Sequence, residues 1–76
     1  MNEIYQYLII DDGPDGFIEL DKGNPIHSTF NNATKFNDND EGLIQAQRTL
    51  AYVPTGIICR VTCYLTDLEI KVRKPL

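Results

Sequence analysis

Ile57-Ile58-Cys59-Arg60-Val61-Thr62-Cys63-Tyr64-Leu65 is the stretch on which the architecture turns. Ile57, Cys59, Val61, Cys63 and Leu65 alternate with Ile58, Arg60, Thr62 and Tyr64, the period of a strand with one apolar face. On a helix, Cys59 and Cys63 would be neighbours able to share a metal. On a strand they lie on one face but roughly 13 Å apart at about 3.3 Å per residue. That separation excludes both a disulfide between them and joint chelation. The alternation selects the strand, with two buried free thiols acting as small hydrophobes. Leu68, Ile70 and Val72 then alternate with Glu69, Lys71 and Arg73, so a second strand follows, with a tight turn or bulge at Thr66-Asp67.

Upstream, the pattern changes to a helical period. Asp38 stands at an N-cap position with Glu41 three residues later, an aspartate version of the capping box. Asp40 and Glu41 suit a first turn, where exposed backbone N–H groups favour negative charge. Leu43, Ile44, Ala46, Gln47, Leu50 and Ala51 carry the period, with 43/50 and 44/51 paired on one stripe. Val53 before Pro54 is biased away from helix, and Gly56 follows. The predicted helix runs from about residue 39 to about 52.

The N-terminal half reads as paired extended segments. Residues 4–10, Ile-Tyr-Gln-Tyr-Leu-Ile-Ile, are β-branched and aromatic. The turn Asp11-Asp12-Gly13-Pro14-Asp15-Gly16 leads to a returning strand, Phe17-Ile18-Glu19-Leu20, and Asp21-Lys22-Gly23-Asn24-Pro25 is a second turn. Ile26, Phe30 and Phe36 anchor a short strand or irregular segment. The order predicts an α+β fold: one domain over residues 1–76, an antiparallel β-sheet of about four strands with one α-helix packed on one face. The helix is expected to cover the Ile, Val, Leu and Cys face. Tyr5, Tyr7, Phe17, Ile58 and Tyr64 are then left on a semi-exposed second face, which argues for a partner or a homodimer.

Charge is lopsided. Residues 1–47 carry nine acids against Lys22 and Lys35, whereas residues 48–76 carry five bases against Asp67 and Glu69. A net charge of −4 and a pI near 4.6 argue against direct nucleic-acid binding, which needs a basic face. Met1-Asn2-Glu3 opens without the basic and apolar regions of a signal peptide, and Tyr7–Ile10 is too short to span a bilayer. The expected location is the cytoplasm, with no membrane association.

Few constellations suggest chemistry. Asp11-x-Gly13-x-Asp15-Gly16 departs from a calcium loop, which needs an acid where Gly13 stands and a bidentate Glu where Lys22 stands. His27, the single histidine, has no carboxylate or thiol arranged with it in sequence, and a general base needs such a neighbour. Lys71, Arg73 and Lys74 read as strand-edge charges that discourage aggregation. No phosphate loop, nucleophile elbow or metalloprotease helix is present. The chain is accordingly read as a non-enzyme with no cofactor and no metal.

Tyr7-Leu8-Ile9-Ile10, the Gly16-Phe17 hairpin and Ala33-Thr34-Lys35-Phe36 before an acid-capped helix together resemble small bacteriophage accessory proteins. The resemblance covers about residues 5–52, and Gly42 departs from the alanines that usually follow the acidic cap in that set. It implies an inhibitor of a host or defence protein, as with anti-CRISPR proteins, acting by stoichiometric binding. The expected partner has a basic surface that meets Asp11, Asp12, Asp15, Asp38, Asp40 and Glu41, whose fields would add if they shared one side. The alternatives are a dimeric sponge for a small ligand or nucleotide, and a structural or assembly protein.

Overall fold

The computed structural model describes residues 2–65 and 69–76, so the expected Thr66-Asp67 turn lies outside the described residues. The α+β class holds: an antiparallel sheet and one helix are found among the described residues. The strands are β1 (Asn2–Asp11), β2 (Phe17–Asp21), β3 (Asn24–Ser28), β4 (Phe36–Asn37), β5 (Ile57–Leu65) and β6 (Glu69–Pro75); the helix α1 is Asp40–Leu50. The sheet therefore has six strands rather than about four. Their order is β3-β2-β1-β5-β6, with β4 also on β1.

The two extra strands come from the segment that lacked periodicity. Lys22 and Gly23 both have positive φ (53° and 83°), the two-residue hairpin turn that matches strand twist. That turn sets Asp21 opposite Asn24 and carries β3 back along β2 as far as Ser28 opposite Phe17. The expected β1–β2 hairpin is short, pairing only at Asp11 and Phe17. Beyond that point β4 occupies the β1 edge, with Phe36 opposite Leu8. Thr34 replaces the lost strand partner on β2: its N–H donates to the Ile18 carbonyl, and its hydroxyl accepts from Leu20 N–H at 2.7 Å.

The helix covers the opposite sheet face from the one expected. Residues facing each other across β1 and β5 share a side, so Tyr5, Tyr7 and Ile9 stand with Cys63, Val61 and Cys59. This face packs under Phe17, Phe30 and Ala33. Leu8, Ile10 and Ile58 point the other way, towards Ile18, Phe36, Leu43, Ala46, Leu50 and Val53. Over Tyr7–Ile10 both faces of β1 are consequently buried, with Leu8, Ile9 and Ile10 at or below 1% exposure.

The helix cap also differs by one residue. Asn39 is the N-cap, its side-chain oxygen accepting from Gly42 N–H at 2.8 Å, while Asp38 instead pairs with Arg60. Leu43 and Leu50 face the core as expected, but Ile44 and Ala51 are exposed. Gly42 is where the helix meets the β4 backbone; a Cβ there would overlap the Asn37 carbonyl oxygen. Alanine favours a helix interior by about 1 kcal/mol over glycine. The overlap opposes that gain at a cost of about 1–3 kcal/mol. Gly42→Ala should therefore lower stability in denaturant unfolding despite its better propensity, and a stabilised variant would contradict this packing.

Candidate functional site

The six acids expected to form a contact set divide into two groups. Asp11 lies 3.4 Å from the Arg73 guanidinium and accepts from Gly13 N–H. Asp38 accepts two hydrogen bonds from Arg60, at 2.8 and 3.2 Å, and this pairing holds the Arg60 proton more tightly than usual. Asp12 is buried. Asp15, Asp40 and Glu41 are exposed, and among the described residues none of them makes an ion pair. Three carboxylates are thus used internally and three face solvent.

Asp12 forms the most highly connected polar node. Thr55 Oγ1 donates to its Oδ1 at 2.6 Å, and His27 Nε2 lies 2.7 Å from its Oδ2. Asp12 N–H donates to the Gly16 carbonyl, closing the turn around Gly13–Asp15. The node joins that turn, β3 and the loop after α1. The expectation that His27 lacks a carboxylate is corrected here, because the hairpin between β2 and β3 returns it to Asp12 across the sheet. Hydrogen bonds from Thr55 and then His27 hold the Asp12 carboxyl below its ordinary range.

The cationic C-terminal strand is largely occupied by structure. Arg73 lies over the Phe17 ring at 4.9 Å and Lys71 over the Phe30 ring at 5.9 Å. Phe17 and Phe30 meet edge to face, so these rings and cations roof the cysteine face. Burial pushes the Cys59 thiol up, which disfavours the nucleophilic thiolate.

On the helix side, the outer part of the sheet is uncovered. A cavity of about 280 Å³ is lined there by Gln6, Arg60, Thr62, Tyr64, Val72 and Lys74, among others. A smaller hollow of about 130 Å³ lies between the β2–β3 turn and the end of α1, beside Arg48, Thr49 and Tyr52. Tyr52 is 80% exposed and Ile44 47% exposed. Sequence reasoning missed His27, Thr55 and Tyr52 as site residues. Counting the hairpin register back from Lys22-Gly23 would have brought His27 beside Ile18; no local signal marks Thr55, which is 43 positions from Asp12.

No family model matches this chain, and no curated protein or solved structure matches it. Among the described residues no helix is long and apolar enough to cross a membrane.

A carboxyl whose pKa is depressed on folding stabilises the native state above its unfolded value and loses that contribution as pH falls through the folded value. Asp12→Asn should therefore lower the melting temperature near about pH 7, and the gap from wild type should narrow below about pH 4. Thermal melts across that range check it; a gap independent of pH would show that the Asp12 charge is not what the fold uses.

Proposed function

We propose that this chain is a small non-catalytic binding protein that engages a macromolecular partner stoichiometrically, through the outer face of α1, as an inhibitor or regulator would. The carrying observation is the line Ile44, Arg48 and Tyr52. They recur every four residues along one side of the helix and the turn that follows it, with both apolar members exposed. Tyrosine and arginine supply large contact area and dominate binding hot spots. The hollow beside Tyr52 offers a recess for a side chain of the partner. Asp40 and Glu41, at the start of the same helix, would meet basic groups on that partner, which retains part of the expected acidic contact set. A host or defence-system protein with a basic surface fits this face, in keeping with the resemblance to phage accessory proteins.

Capture from lysate of the natural host tests the reading. The wild-type protein should retain one partner stoichiometrically, and Tyr52→Ala should weaken retention by about 2 kcal/mol or more, roughly thirty-fold. Its melting temperature should hardly move, since exposed substitutions usually stay within about 0.5 kcal/mol. Equal retention by Tyr52→Ala and Ile44→Asp would move the contact off this face.

The sheet cavity favours a second reading, a site for a small anionic ligand. Lys74 supplies positive charge on an otherwise acidic molecule, beside an Arg60 already paired with Asp38, and Gln6, Thr62 and Tyr64 supply hydrogen-bonding groups. A nucleotide or other anion that copurifies with the protein and is released by Lys74→Glu would support it over the helix-face reading.

A further inference from the structure

We propose that Asp12, Asp15 and His27 form a binding site for a divalent transition-metal ion, with Zn²⁺ or Mn²⁺ as the fitting class. One carboxylate oxygen from each aspartate and one imidazole nitrogen all lie within 4.8 Å of one another. A metal with bonds of about 2.1 Å places adjacent donors about 3 Å apart, so small side-chain rotations close the set. One imidazole and two carboxylates suit borderline ions better than Ca²⁺, which prefers an all-oxygen shell.

Three observations support the assignment. The first is that Asp15 brings a second carboxylate towards Asp12, yet among the described residues its side chain makes no hydrogen bond or ion pair. Two carboxylates beside one imidazole leave net negative charge that a cation would offset. The second is that the inner donor is held from behind. Thr55 Oγ1 donates to Asp12 Oδ1, leaving Oδ2 directed at His27, the outer-shell arrangement that orients metal ligands. The third is access: Asp12 is 5% exposed at the side chain and His27 49%, so the set has a fixed floor and an open mouth where water completes the coordination. The ion would replace the hydrogen bond between Asp12 Oδ2 and His27 Nε2, binding through both atoms and releasing the shared proton to water.

Titration of metal-free protein with ZnCl₂, and separately with MnCl₂, tests the site by calorimetry and thermal shift. The expected result is one ion per chain and a raised melting temperature, because the ion would tie the Asp12 turn to β3. Asp15→Asn and His27→Gln, both at exposed positions and checked for folding by circular dichroism, should each weaken binding about ten-fold or more. Thr55→Val should weaken it less, and Glu41→Gln should leave it unchanged. No saturation at millimolar metal overturns the proposal, as does saturable binding that survives both Asp15→Asn and His27→Gln. Paramagnetic broadening by Mn²⁺ centred on Asp12, Asp15 and His27 supports the site; broadening centred on Asp40 and Glu41 overturns it.

Discussion

The antiparallel ladder between β1 and β5 is the constraint on which the other contacts rest. It joins Asn2 to Leu65 and Asp11 to Ile57, so the sheet forms only when two segments far apart in sequence meet. Pairing across such separations requires loop closure before any contact stabilises it, which makes this ladder the slow, cooperative step expected of a high-contact-order fold. The other strands build outward from its edges, β3 pairing with β2 rather than with the ladder itself. β6 follows β5 on one side, while β2 and β4 share the far edge of β1.

A central ladder in a chain this small creates two apolar faces, and one short helix can cover only one of them. The helix takes the face of Leu8, Ile10 and Ile58. The cysteine face is closed by other means: Phe17 and Phe30 pack edge to face, Ala33 fills beneath, and Arg73 and Lys71 lie over the rings. Long basic side chains cover apolar surface along their stems while their charged heads stay in water. This gives β6 its composition. The lysine and arginine that read as edge protection also form the outer layer of a core, and Asp11 neutralises one of them.

Local pattern carried much of this architecture. The alternation in 57–65, the apolar run in 4–10 and the helical period in about 39–52 each specified an element, because each reflects burial on a face that sequence neighbours share. Which face the helix would take was not legible. Ile58 is flanked by Ile57 and Cys59, and only the β1 register shows that Ile58 points to the helix while Cys59 points away. β3 and β4 escaped for a different reason: their residues are mostly exposed or half-buried, so hairpin geometry places them rather than hydrophobic periodicity. The cap moved from Asp38 to Asn39 because a long-range partner, Arg60, competes for the Asp38 carboxylate.

The same competition explains why acidic composition did not show which carboxylates the fold leaves exposed. A carboxylate in a turn is available to a partner only when the fold leaves it free, and here the most clustered one, Asp12, is the most thoroughly used. Its hydrogen bonds reach Thr55 and His27, two groups far from it in sequence, so their roles follow from topology and not from any motif. Folding removes Asp12 from the surface charge and makes it a fixed point on which a turn, a strand and a loop converge. The groups the fold does not consume, the exposed Ile44 and Tyr52 beside Arg48 and the acids at the start of α1, are the ones the proposed recognition would use. The division follows from size, since a chain of 76 residues must use many of its charged side chains to hold itself together.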